Sequence, residues 1–304
     1  MALAGWLPVQ AAPAAPADQG KPTDPARLAG ISYTVLAAGD IADCRRTPAL
    51  HSRAQDTALL VESELQRNPR AAVLLLGDNV YNRGTAAEFA ECYHPTWGRF
   101  RDRTHPTPGN HEYATPGATG YFGYFGAAAG PGYYALTLGS WRIISLDSNV
   151  KGAAKARQLR WLERELADQP THCTLAYWHH PLYSSGGHPR NTLMRDEWQR
   201  LHEAGAELVL SGHDHEYERF APQDASGRLD AARGMRQFVV GTGGAHTTPF
   251  LRREAHSEVR DGNRTGVLKL VLRPAGYSWQ FLEASYDGFP NGPGPDRGEG
   301  RCHP

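Results

Sequence analysis

Ala72-Val73-Leu74-Leu75-Leu76-Gly77-Asp78-Asn79-Val80-Tyr81 is an unbroken apolar run that stops at a glycine and then presents a carboxylate, a carboxamide and a phenol. Five consecutive apolar residues indicate a buried strand. Gly77 lets the chain turn sharply after it, which sets Asp78 at the carboxyl edge of a sheet, where α/β folds open to ligands. Three further strand-like segments end the same way. Tyr33–Ala38 leads into Gly39-Asp40, Thr174–Tyr177 into Trp178-His179-His180-Pro181, and Glu207–Ser211 into Gly212-His213-Asp214-His215. A fifth cluster, Gly109-Asn110-His111-Glu112, follows a polar, proline-rich stretch in which no strand is expected. Each cluster alone fits a turn; the ordered set of five does not.

The rest of the chain is organised around these runs. Ser52 is placed to cap a helix reaching about Arg67, with Ala58, Leu59, Val61 and Leu65 toward a core. Tyr134–Leu138 and Trp141–Leu146 alternate around Gly139-Ser140, a hairpin signal. Ala153–Ala167 is amphipathic, with Leu159, Leu162 and Leu166 on one side. Asn191 is placed to cap a helix ending near Ala204. Gln237–Val240, Gly266–Leu272 and Tyr277–Ala284 complete the expected strands. Two hairpins beside βαβ units predict an α/β fold with mixed sheets. Pro106–Gly132, rich in glycine, proline and aromatics, reads as a long loop framing the clusters and packing Tyr121, Phe122, Tyr124 and Phe125. Pro290–Gly300 reads as an irregular tail.

A chain of 304 residues with 40% hydrophobic residues can build a substantial core. Lysine plus arginine equals aspartate plus glutamate, 32 against 32, which argues against nucleic-acid binding through bulk charge. No apolar run is long enough to span a membrane, so no membrane partner is expected. Residues 1–27 read as a signal-like or flexible tail: a short apolar stretch, Ala2–Val9, precedes small residues but lacks a basic start. With no second linker beyond it, residues 28–304 read as one catalytic domain. The tail, read as a truncated export signal, predicts a secreted or periplasmic protein. Four cysteines, none in a Cys-x-x-Cys pair, then favour disulfides over a zinc ribbon. Cys44 and Cys92 lie just beyond the first two clusters and are expected to pair, leaving Cys173 for Cys302.

Chemically, the clusters form a metal-ligand set. Asp40 and Asp78 offer hard oxygens, and one of them could bridge two cations. His213 and His215 would share a face on a strand but diverge on a tight loop. Asn110 adds an amide oxygen, and carboxylate with imidazole suits zinc, iron or manganese rather than calcium.

In this order the motifs resemble the calcineurin-like metallophosphoesterases, and within them the purple acid phosphatases of the compact bacterial type, over roughly residues 31–240. The superfamily opens with Asp-x-His; here the third position is Ala42, and Tyr81 stands three residues after Asp78, as in the purple acid phosphatases. The resemblance implies a sandwich of two mixed β-sheets flanked by helices, with the metal site at the strand C-terminal ends. It implies that Asp40, Tyr81 and His215 bind one metal and Asn110, His179 and His213 the other, with Asp78 bridging. His179 is chosen over His180 because the family's ligand lies two before a proline. His111 and His188 would bind phosphate or protonate the leaving group. The implied cofactor is Fe(III) with Fe(II), Zn or Mn, and the implied activity is hydrolysis of small phosphorylated substrates by metal-activated hydroxide. A phosphodiesterase on the same scaffold, a non-catalytic metal- or phosphate-binding protein, and redox chemistry at a di-iron pair are the alternatives.

Overall fold

The computed structural model describes residues 31–168, 173–189, 191–285 and 294–303. The N-terminal tail of residues 1–27 lies outside them, as does the start of the stretch from Pro290. Two mixed sheets carry the fold. The first has the order β13-β12-β11-β1-β2-β3, in which β1 is Tyr33–Ala38, β2 Ala72–Leu76, β3 Thr104–Thr107, β11 Gly266–Arg273, β12 Gly276–Glu283 and β13 Arg297–Arg301. The second runs β10-β8-β9-β7-β6-β5-β4, with β4 Tyr134–Leu138, β5 Trp141–Ser145, β6 Cys173–Tyr177, β7 Leu208–Ser211, β8 Tyr217–Phe220, β9 Arg236–Val240 and β10 Ser257–Asp261. In the first sheet the parallel strands β1–β2–β3 form one side and the antiparallel β11, β12 and β13 the other; in the second, parallel β5–β6–β7–β9 form the centre and antiparallel strands the flanks.

Strand alternation explains how the layers stack. Ile143, Leu175, Leu208 and Leu210 join a core shared with Val35, Leu74 and Leu268 of the first sheet. Their neighbours Ile144, Ala176 and Val209 point the other way, into a second core with Leu162, Trp198 and Leu201 of the helices Gly152–Asp168 and Arg195–Glu203. The second sheet is therefore covered on both faces, and the helix Arg53–Arg67 adds Ala54, Ala58, Leu60, Val61 and Leu65 to the shared core. Leu60, not Leu59, takes the inward position in that helix.

Four strands escape the sequence reading. β3 contains Pro106 and is only four residues long, yet it pairs in parallel with β2. It lies at a sheet edge, where a missing N–H costs no ladder bond. The Asn110 cluster thus follows a strand like the other four. β13 alternates arginine or glutamate with glycine, and Gly298 and Gly300 make room for the rings of Trp279 and Tyr277; the expected irregular tail is in part an edge strand. β8 and β10 read as polar. Two other expectations change. The helix after Asn191 starts at Arg195, because Asn191 Oδ1 accepts the N–H of Leu193 in a local turn (2.8 Å). The stretch Pro106–Gly132 is not a loop but mainly short helices, Asn110–Tyr113 and Thr119–Phe125 among them, which pack Tyr121 and Phe125 into the core. Cys44 is bonded to Cys92 and Cys173 to Cys302.

Candidate metal centre

Five loops, after β1, β2, β3, β6 and β7, meet at the carboxyl edge. They are held together by backbone bonds, with Asp40 N–H donating to Gly77 O (3.0 Å) and Ile41 N–H to Asp78 O (2.9 Å). The fit leaves no spare volume: a Cβ on Gly109 would lie 2.1 Å from Asp78 Oδ1, and one on Gly212 2.5 Å from Asp40 Oδ2. Asp40, Asp78 and His213 sit at φ of 59°, 48° and 72°. Left-handed backbone at a non-glycine residue costs about 1–3 kcal/mol and persists where the surroundings impose it. The three strained residues all carry side chains into one pocket.

The structure brings all seven expected ligand residues together, in two groups. In the first, Tyr81 Oη lies 2.9 Å from Asp40 Oδ1 and 3.0 Å from His215 Nε2. In the second, His179 Nε2 lies 3.0 Å from Asn110 Oδ1 and 3.2 Å from His213 Nδ1. Asp78 Oδ2 stands between them, 3.3 Å from Tyr81 Oη and 3.3 Å from His179 Nε2. Asp40, Asp78 and His179 are wholly buried.

The donor set fits cations. His179 Nδ1–H donates to Leu76 O (2.9 Å) and His215 Nδ1–H to His246 O (2.7 Å). Each ring therefore turns the lone pair of Nε2 inward, a common way of fixing a ligand histidine. Those lone pairs face a carboxylate: Asp78 Oδ2 for His179, and Asp40 Oδ1, 3.3 Å away, for His215. Acceptors facing acceptors at this range repel unless a proton or a metal ion lies between them. Without metal the pocket recruits protons. Burial alone would lower His179, but Asp78 raises it, to about 9. Burial, then the Asp40 and Asp78 carboxylates, push Tyr81 well above its ordinary value, so only a cation can make it a phenolate here. Burial and then His179 push His213 far down.

His180 was set aside on sequence grounds, yet it offers a ring nitrogen within 4.8 Å of those of His179 and His213. What separates it is its partner: Nδ1 lies 2.8 Å from the Ser148 hydroxyl. The two expected substrate histidines pack against different groups, His111 beside Tyr81 and His188 beside His213. His111 packs against Tyr81 with the rings tilted (centroids 4.5 Å apart), its Nδ1 2.6 Å from Asn82 O and its Nε2 3.8 Å from Asp78 Oδ2. His188 stacks on His213 (4.0 Å, interplanar 28°). Sequence reasoning missed two supports. Glu112 is buried and accepts N–H bonds from Gly109 (2.6 Å), Asp78 (3.0 Å), Asn79 (2.8 Å) and Val80 (3.3 Å), tying the second loop to the third. Asp214, between His213 and His215, turns to His188 (2.8 Å). Only the burial of Glu112, invisible in a motif that begins Gly-Asn-His, reveals its part.

The family description "Calcineurin-like phosphoesterase" matches residues 33–217, which include all seven residues of the pocket. The chain belongs to this family. Among curated members it is 28% identical over 222 residues to purple acid phosphatase 15 of Arabidopsis thaliana, covering 60% of this chain and 41% of that one. It is 26% identical over 148 residues to an acid phosphatase of Aspergillus ficuum, covering 45% and 24%. The chain thus spans about two fifths or less of the length of these curated phosphoesterases. Among solved phosphoesterase-like folds, the purple acid phosphatase PPD1 of yellow lupin superposes with a TM-score of 0.68 at 19% identity, covering 90% of this chain and 54% of that one. GAP50, the anchor in the inner membrane complex of Plasmodium, superposes with a TM-score of 0.66 at 13% identity, covering 90% of both. These likenesses establish the fold.

Proposed function

We propose that residues 28–304 form one catalytic unit that hydrolyses phosphate monoesters of small substrates at a two-metal centre. The observation that supports this most is the inward-facing set, in which two imidazole Nε2 atoms, two carboxylates, an amide oxygen and a phenol converge with no lysine or arginine among them. Asp40, Tyr81 and His215 would hold one ion, Asn110, His179 and His213 the other, and Asp78 both. Bound there, the ions would supply Lewis-acid neutralisation of phosphate charge and lower the pKa of water. The chain's own residues do the rest. His111, beside Tyr81, and His188, beside His213, would bind the phosphate oxygens or hold the proton passed to the leaving oxygen. Glu112 and the strained loops keep the ligands in place, so that little reorganisation accompanies the reaction.

A phenol among nitrogen and carboxylate ligands suits a ferric ion in the first position, with Fe(II), Zn or Mn in the second. The two disulfides suit a secreted or periplasmic protein. The test is metal analysis, a visible spectrum and turnover of p-nitrophenyl phosphate against bis(p-nitrophenyl) phosphate, on protein stripped and then reloaded. Two ions per chain and faster monoester turnover are expected. Faster diester turnover would move the assignment to a phosphodiesterase, and two bound ions with no turnover to a binding protein. Tyr81→Phe should remove any visible band and leave the fold intact; a colourless, iron-free and fully active wild type would refute the ferric assignment alone.

A further inference from the structure

We propose that Asp214 is a positioning residue for His188, holding its ring with Nδ1 turned to the protein and Nε2 on the edge opposite. The inference rests on the phosphoesterase reading only for its catalytic consequence. Asp214 Oδ1 accepts twice from the same residue, from His188 Nδ1–H (2.8 Å) and from the His188 backbone N–H (3.1 Å). A ring flip would break the first bond while the second kept the backbone in place, so the pair selects one ring orientation and not merely one loop position. The carboxylate is buried, its side chain 2% exposed, whereas the imidazole is 43% exposed. The fixed member of the pair is thus the acid, and the histidine is the member that meets solvent.

Three other contacts make the arrangement rigid. Gly186 packs so closely that a Cβ there would lie 2.4 Å from Asp214 Oδ1. Arg252 Nη2–H donates to His188 O (2.9 Å), and Arg252 Nε–H to Ser184 O (3.2 Å) and to Glu254 Oε1 (3.1 Å). The ring itself lies flat on His213. Asp214 is placed by the residues on either side of it, because Gly-His-Asp-His turns His213 and His215 into the metal pocket and its third residue outward to the loop Tyr183–Pro189. One four-residue turn therefore carries two candidate metal ligands and the support of a candidate substrate histidine. A carboxylate behind an imidazole fixes its tautomer and keeps the outer nitrogen available to the substrate.

The first test needs no metal and no activity. In metal-free, isotopically labelled protein, the ring nitrogens of His188 should show protonated Nδ1 and lone-pair-bearing Nε2 in the neutral form, a preference lost in Asp214→Ala. Retention of that pattern in Asp214→Ala overturns the inference. The second test uses reloaded enzyme. Proton transfer by a positioned side chain contributes about 10²–10⁴-fold. Asp214→Ala and His188→Ala should therefore lower kcat by a similar factor, about 10²-fold, with KM changed much less, and the double variant should be no slower than His188→Ala. Multiplying losses would mean that Asp214 acts on the fold or the metals and would overturn the inference. Should Asp214→Ala fail to fold, Asp214→Asn keeps the shape, and the same non-additivity with His188→Ala is the criterion. If the wild type hydrolyses no phosphoester, the functional reading fails while the ring measurement still decides this one.

Discussion

Strands β6 and β7 each end in buried polar groups, and their two ends satisfy those groups in opposite ways. At the amino end, Glu207 accepts from the backbone N–H of Thr174 (2.6 Å) and of His303 (3.1 Å). At the carboxyl end, Asp78 Oδ2 and Asp40 Oδ1 face Nε2 of His179 and His215, which can satisfy a carboxylate only by carrying a proton or binding a metal. Each end is also stapled by a disulfide, Cys173–Cys302 below and Cys44–Cys92 above. Burial is alike; what differs is the partner. A buried carboxylate that meets donors closes a structure, and one that meets acceptors leaves room for a cation. Glu112 applies the same rule inside the metal pocket, since its four backbone donors make it a brace and not a ligand.

The largest expected effect is at Asp78. Asp78→Ala removes the one carboxylate that reaches both groups, and turnover should fall by at least about 10⁴-fold, about 5.4 kcal/mol. Bound metal should fall with it, and the stripped protein should lose some stability too, because Asp78 accepts the His111 N–H (2.9 Å) and pairs with protonated His179. Near-normal turnover in the variant would break the contrast between the two ends. Glu112→Ala should act on stability instead. It strands four N–H groups at about 1–3 kcal/mol each, partly relieved by water, for a loss of about 4–5 kcal/mol in denaturant unfolding of the stripped protein. A loss of turnover without a loss of stability would make Glu112 a participant in the chemistry.

The difference between the ends was only half legible in the sequence. Six of the seven candidate ligands were readable because each follows an apolar strand whose end fixes where a side chain emerges; Asn110 stood out only by its Gly-Asn-His-Glu cluster. Most strands were readable from unbroken or alternating apolar runs. β3 was not, because Pro106 at an unpaired edge looks like a break. β13 was not, because Gly298 and Gly300 serve neighbouring rings and carry no pattern of their own. Glu112, Asp214 and Glu207 were not read as supports because their parts depend on partners 26 to 96 residues away. Local spacing encodes what a residue offers, and only the fold shows which neighbour accepts it.

The disulfides sharpen the contrast. Closing a loop of 48 residues removes denatured-state entropy worth about 4 kcal/mol in the loop-closure treatment. Paired Cys44→Ala/Cys92→Ala should lose about 3–4 kcal/mol and also bind metal more weakly, since Cys44 leaves the loop that carries Asp40 and Cys92 follows the one that carries Tyr81. Paired Cys173→Ala/Cys302→Ala should lose stability but keep the metal content of the wild type. Equal metal loss in both variants would show that the two ends are not independent.

The smallest effect concerns Glu207, and its sign follows from its pKa. Burial raises the group from 4.5 to about 7, against the pull of the Thr174 and His303 N–H bonds. A carboxyl raised by folding is protonated in the native state over a range where the unfolded chain has already ionised. Below pH 4.5 both states hold the proton and Glu207 contributes no pH dependence. As pH rises from 4.5 toward 7 the native state alone retains the proton, and stability falls, by at most about 3 kcal/mol for a shift of this size. Above about 7 the penalty is complete and constant. Glu207→Gln has no proton to lose, so its stability relative to wild type should rise across that window and level off above it. Denaturant unfolding of both proteins at pH 4.5, 6 and 8 measures the gap. A gap that stays constant would mean that the two backbone donors hold Glu207 ionised throughout, and the amino end would then be a charged site fully satisfied by the chain itself.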